Sequence, residues 1–118
     1  MKATKWTLEI SSTALKDYQD ILAWTLARFG RQQARIYSQV IDSAFQDLQQ
    51  GPDVAGVRWR PELGGGIASL HVARNGHKGR HVVIFRVAPL ENVAVLKVMR
   101  LLHDSMDLQR HLLFTDTE

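Results

Sequence analysis

After a short N-terminal strand pattern, the chain from residue 13 onward changes its hydrophobic period once, and that change limits the folds open to it. Between residues 13 and 50, apolar side chains recur three and four apart. From residue 57 to residue 103 the chain instead runs in short alternating or β-branched stretches separated by turn residues. A 3.6-residue period demands helices with one buried stripe, and a two-residue period demands strands. An all-helical bundle and an alternating βαβ fold are both excluded by one helical block followed by one strand block.

Individual elements follow from this division. Lys5 to Ile10 alternates, with Trp6, Leu8 and Ile10 on one face, and runs into Ser11-Ser12-Thr13, residues suited to cap a helix. Leu15, Tyr18, Leu22, Leu26 and Phe29 form the expected stripe of the first helix, which ends at Gly30. Ala34, Tyr37, Ile41, Ala44 and Leu48 form the stripe of the second, ending at Gln50-Gly51-Pro52. So little chain separates the two that they should pack as an antiparallel hairpin. Val57 to Arg60 alternates briefly before Pro61, and Ile67 to Ala73 reads as a strand after Gly64-Gly65-Gly66. Arg74 to Gly79 is a basic turn into the strand His81 to Val87, Pro89 to Asn92 make another turn, and Val93 to His103 is a long strand apolar on both faces, hence central. The tail from about 104 to 118 holds Met106, Leu108, Leu112 and Leu113 and is expected to close as a short helix. The fold class is α+β, an antiparallel-rich sheet packed against an N-terminal helical hairpin, with residues 1–118 forming one domain.

Composition narrows the function classes. The chain of 118 residues has no cysteine, so disulfides, thiolate nucleophiles and Cys-ligated zinc are excluded. Lys2, Lys5 and Glu9 interrupt the N-terminal stretch, which does not read as a signal peptide, and Lys97 and Arg100 break the longest apolar run. A cytoplasmic protein without a membrane role is expected. Residues 51–100 carry eight basic and three acidic side chains, whereas residues 101–118 carry one and four. The basic middle would attract an acidic protein segment or a phosphate backbone.

Within that middle, Trp59 between Arg58 and Arg60 has neighbours that suit an acidic or nucleic-acid partner. Arg100, between Met99 and Leu101, is either a target contact or a recessed cation needing a partner such as Asp104 or Asp107. His103 either caps the turn after its strand or acts on a target. His71, His77 and His81 flank one hairpin and either meet at a metal or face solvent; with no carboxylate near them in sequence, no metal or cofactor is assigned. Gly64-Gly65-Gly66 precedes a strand instead of opening a helix, so turn geometry explains it better than phosphate binding. Ile21, Trp24 and Thr25 lie beside the first helix stripe and are read either as a wrap around the core edge or as a partner groove.

Taken in order, three stretches resemble the RelE/ParE superfamily of bacterial toxins, and within it the ParE branch. They are Phe29-Gly30 with Ala34 and Tyr37; Arg60-Pro61-Glu62-Leu63-Gly64-Gly65-Gly66; and Arg80 to Val87 followed by Val98 to His103, Met106-Asp107 and Arg110-His111-Leu112. The resemblance spans about residues 6 to 113. It implies a βααβββ fold and a toxin of a type II toxin–antitoxin system that inhibits DNA gyrase without a catalytic reaction. A ParD-like antitoxin would neutralise it, DNA would be met only indirectly through that antitoxin, and a homodimer or a hetero-oligomer with antitoxin would be possible. Target-binding residues are then expected at Arg58, Trp59, Arg60, Arg100 and His103, and antitoxin-binding residues at Ile21, Trp24, Thr25 and Arg86. Two positions depart from the family pattern: an arginine is usual near Ala68, and the aromatic at Phe85 is often tyrosine.

The RelE branch cleaves messenger RNA on the ribosome, and Arg100, His103 and His111 are the residues that would serve such chemistry here. Against it, the only tyrosines are Tyr18 and Tyr37, both on helix stripes. A degenerate toxin that only binds partners is a further alternative, suggested by Ala68 and Phe85.

Overall fold

A computed structural model describes residues 6–90, 93–108 and Arg110. The elements run β1 (Thr7–Ile10), α1 (Ser12–Phe29), α2 (Arg31–Leu48), β2 (Arg58–Trp59), a 3-10 turn (Pro61–Leu63), β3 (Ile67–His71), β4 (His81–Leu90) and β5 (Val93–His103). They form a five-stranded mixed sheet in the order β1-β5-β4-β3-β2, with two helices packed on it. β2 to β5 are antiparallel to their neighbours, while β1 lies parallel to β5, pairing Thr7 with Val95 through Ile10 with Val98. β5 is therefore an interior strand, flanked by β1 and β4, and it contributes apolar residues to the clusters on both faces of the sheet.

Local chemistry sets the helix ends. Ser11 is the N-cap of α1: its Oγ accepts from the Ala14 amide at 3.0 Å and donates to the Met99 carbonyl at 3.0 Å, tying the helix start to β5. Gly30 alone joins the helices. At φ 95° it ends α1, donating to the Leu26 carbonyl, and precedes the first residue of α2. A residue with Cβ is strained in that conformation.

The two sides of the sheet differ. Ala68, Leu70, Val83, Phe85, Leu96, Val98 and Leu101 pack against Ala14 of α1 and Val40, Ile41, Ala44 and Leu48 of α2. On the outer side, Ile67, Val82, Ile84 and Leu102 form a second cluster with Leu63, Met99 and Leu108. Among the described residues, no helix is long and apolar enough to cross a membrane.

Three sequence expectations are corrected, and a fourth is met as far as the described residues reach. First, the α1 stripe lies about one residue round from where the periodicity placed it. Ala14 and Thr25 are buried and Tyr18 and Ile21 pack on the core, whereas Leu15, Leu26 and Phe29 are 48%, 51% and 61% exposed. The small side chains at positions 14 and 25 allow close approach, and the larger apolar ones are left pointing away. Second, Arg58–Trp59 is a fifth, edge strand. Third, the turn expected over Pro89 to Asn92 is shorter. β4 continues to Leu90, with Pro89 opposite Ala94 beyond the end of β3, where its missing N–H costs no ladder bond. Fourth, of the expected C-terminal helix, Leu108 and Arg110 are helical; His111, Leu112 and Leu113 lie outside the described residues.

Candidate functional site

Trp24 and Phe29, which α1 leaves outside the core, line an open groove of about 1020 Å³ together with residues at the core edge. Ile21, Trp24 and Thr25 come from α1, and Phe29, Ile36, Tyr37 and Val40 from the hairpin turn and α2. The opposite wall is the basic connection of residues 76–81 together with His103, Ser105 and Met106 from the end of β5. The Trp24 and Phe29 rings meet edge to face at 5.8 Å, and the Arg28 guanidinium sits 5.5 Å from the Trp24 ring centre. Trp24 is 56% exposed. An indole held this way with more than half of its surface in water is arranged to be covered by something else.

At the strand end of the groove a polar network replaces the apolar wall. Tyr37 Oη accepts from the Arg80 amide at 3.2 Å and lies 2.6 Å from His81 Nδ1. Because the amide can only donate, the phenol hydrogen is free for Nδ1, and the neutral imidazole then carries its proton on Nε2. The His81 and His103 rings stand nearly perpendicular, 5.4 Å apart. His103 Nδ1 in turn accepts from the Ser105 amide at 3.2 Å. With its Nδ1 engaged by Tyr37, the His81 ring is left with Nε2 as its open nitrogen, a donor suited to bonding a carbonyl or carboxylate.

Asp104 anchors this network from behind. Its carboxylate takes a forked contact from Arg80 at 3.0–3.1 Å and His71 Nε2 at 2.9 Å. Those hydrogen bonds, Arg80 first, hold its carboxyl well below the usual carboxylate range. His81 moves down to about 4, chiefly through burial and then through the neighbouring His103. Burial pushes the Tyr37 phenol up.

The His81 shift sets a pH dependence. Its folded value lies below the unfolded value of about 6.5, so the unfolded chain binds the extra proton. The stability conferred by neutral His81 is complete above pH 6.5 and is lost as pH falls to about 4. Thermal melts of the wild type should therefore fall more steeply across this window than those of His81→Gln. Parallel curves would show that His81 titrates normally.

The residues named from sequence do not form one site. Ile21, Trp24, Thr25 and His103 line the groove. Thr25 is buried and its hydroxyl donates to the Ile21 carbonyl at 2.8 Å, so it contributes shape. Arg86 is on the outer face, paired between Ile67 and Lys97, away from the groove. Arg58 and Arg60 flank Trp59 in an alternating strand: Arg58 pairs with Ser69 and Arg60 Nε donates to Ser69 Oγ, whereas Trp59 pairs with Ala68 on the helix side. That strand geometry separates the tryptophan from the arginines it adjoins in sequence. The partner expected for Arg100 is corrected too: it is Asp17 of α1, in a forked pair at 2.7 and 3.0 Å, and not Asp104 or Asp107. Both side chains of that pair are about 15% exposed, which takes Arg100 away from an open contact surface. His111 lies outside the described residues. Among the described residues no cluster of His, Asp or Glu could hold a metal; His71 is engaged by Asp104 and His81 by Tyr37.

Sequence reasoning missed the meeting of Tyr37, Arg80, His81, His103 and Asp104. The available signal was a tyrosine on a helix stripe that also had to face a basic hairpin, a long-range relation no spacing rule reports.

A family model described as "ParE toxin of type II toxin-antitoxin system, parDE" matches residues 8–108. The fold is similar to a chain from the "Chromosomal ParDE TA system from P. aeruginosa", with TM-score 0.66 and 20% identity over 85% of this chain and 97% of that one. It is also similar to a chain of the toxin–antitoxin complex RelBE2 from Mycobacterium tuberculosis, with TM-score 0.55 and 22% identity over 84% and 98%. No curated protein sequence matches significantly.

Proposed function

Because the chain belongs to the ParE toxin family of type II toxin–antitoxin systems, we propose that it inhibits DNA gyrase and that a ParD-like antitoxin neutralises it by filling the groove between the helical hairpin and residues 76–81. The groove itself carries the antitoxin half of this reading. Its helix wall exposes Trp24, Phe29 and Ile36, and its other wall bears Lys78 and Arg80. An amphipathic segment with apolar anchors and acidic flanks satisfies both walls, and such segments commonly fold as they bind. Gyrase inhibition rests on family membership.

The test is a supercoiling assay. Purified toxin is expected to inhibit gyrase or to accumulate cleaved DNA, and cognate antitoxin to relieve the effect. An unaffected gyrase at saturating toxin overturns the target, and expression without antitoxin that leaves growth unchanged points to a degenerate toxin. The ribonuclease alternative has less support. Arg100 is committed to Asp17, and the Nδ1 atoms of His81 and His103 are already engaged. Codon-positioned cuts in translating messages, read by primer extension, would restore it.

A further inference from the structure

Three histidines meet at the strand end of the groove, and one of them lacks an acid. His71 and His103 reach Asp104 at 2.9 and 3.6 Å, whereas among the described residues no carboxylate reaches His81. Its Nδ1 lies 2.6 Å from the Tyr37 hydroxyl, and Nε2 is left as the open nitrogen of a ring that lines the groove. The acids packed around it already have cations. Asp104, beyond the end of β5, takes Arg80 and His71; Asp17 of α1 takes Arg100; Asp20, on the groove wall, pairs with Lys16 at 3.0 Å. Tyr37 faces His81 from α2, His71 from β3 and His103 from β5, the last with its ring edge-on at 5.4 Å. What stays unmatched on this wall is positive: Lys78 is exposed and makes no ion pair among the described residues. The connection that carries these groups is fitted closely to α2. A Cβ at Gly79 would stand 2.8 Å from Tyr37 Oη and 2.7 Å from Val72 Cγ2, and the Arg80 amide donates to the same Oη at 3.2 Å. His81 is thus held in one orientation before any ligand arrives.

From this we infer that the polar end of the groove is a proton-coupled carboxylate site: an acidic side chain of the antitoxin segment bonds His81 Nε2, and His81 takes up a proton as the segment seats. This coupling rests on the groove being the antitoxin site and makes that site sensitive to pH. In the free toxin, burial and the neighbouring His103 oppose the charged form of His81, which titrates at about 4. A carboxylate on Nε2 supplies the missing opposite charge and returns the imidazole to its ordinary value of about 6.5. Protonation does not undo the Tyr37 contact. Oη has a second lone pair beside the one used by the Arg80 amide, so a protonated Nδ1 can donate to it once the phenol hydrogen turns away. The bound state then holds the extra proton, so affinity rises as pH falls, by about tenfold between pH 7.5 and pH 5.5. A backbone carbonyl on Nε2 would satisfy the donor but would hold no proton there.

The test is calorimetric titration of the whole toxin with purified cognate antitoxin at both pH values, in buffers of different ionisation enthalpy. Wild type is expected to bind about tenfold tighter at the lower pH and to take up roughly one proton near pH 5.3. His81→Gln keeps an amide donor without a titrating group and should lose both differences; subtracting it removes any protons that the antitoxin takes up itself. A second measurement needs no variant. The His81 Cε1–H resonance, assigned by triple-resonance spectra of the wild type, should titrate below about 5 in free toxin and above about 6 in the complex. Equal pH dependence of wild type and His81→Gln, or a Cε1–H midpoint that binding does not move, overturns the carboxylate site; binding that is still weakened by Trp24→Ala would then leave the groove itself in place. Binding that is absent, or that ignores Trp24→Ala, removes the groove and the proton coupling together.

Discussion

Replacing Trp24 with alanine is expected to weaken the antitoxin complex by roughly 2–3 kcal/mol, about 30- to 150-fold in Kd, while changing the toxin's own Tm by no more than about 2 °C. The asymmetry follows from where the indole sits. It is 56% exposed in the free toxin, so truncation opens no core cavity. It is also held in advance by the Phe29 edge contact and by Arg28, so little side-chain freedom remains to be lost on binding. A large aromatic surface, ordered beforehand and waiting for cover, is the usual character of an interface anchor. Because Trp24 and Phe29 touch, Phe29→Ala should cost less when Trp24 is already gone, and a double-mutant cycle should show coupling between them. The measurement is calorimetric titration of each variant with purified antitoxin. A dissociation constant unchanged by Trp24→Ala rejects the groove as the antitoxin site, whatever the gyrase assay shows.

How legible this was in the sequence depends on the range of each interaction. The helices, the Gly30 break and the starts of the strands at Ile67, His81 and Val93 follow from local period and turn chemistry and are found where those rules put them, whereas β3 ends two residues sooner and β4 runs three residues further. The face that α1 buries was not legible. Leu15, Leu26 and Phe29 are as apolar as any core residue, and only the packing of Ala14 and Thr25 decides that they face outward. Trp24 was recognised beside the main stripe because surplus apolar surface on a helix is visible in one dimension. The polar end of the groove was not, since Tyr37 and His81 are 44 residues apart. That Arg86 stands on the outer face, away from the groove, was hidden for a related reason. Strand alternation tells which neighbours share a face, but not which face the helices cover. Trp59 and its flanking arginines illustrate the converse: adjacency in a strand is opposition in space.

Arg100 offers the second large effect, and here the partner is the residue to change. Asp17 receives Nε and a terminal nitrogen of Arg100 at 2.7 and 3.0 Å and the Leu101 amide at 3.0 Å, and so fastens α1 to the edge of β5 beyond the end of β1. Asp17→Ala leaves a recessed guanidinium and a strand amide without acceptors. Breaking one side of such a pair costs about 3 kcal/mol, and for a domain of this size the Tm should fall on the order of 10 °C. Removing both charges in Asp17→Ala/Arg100→Met should recover at least about half of that loss, since an apolar replacement no longer leaves a charge uncompensated. Differential scanning calorimetry of the two variants decides it; equal destabilisation would mean that the carboxylate acts through the Leu101 amide alone. The same double variant separates the two roles considered for Arg100. If its guanidinium is a structural clasp, the gyrase inhibition proposed for the wild type is kept by the refolded double variant at temperatures below its melting point. If it is a target contact, inhibition is lost from a protein that is still folded.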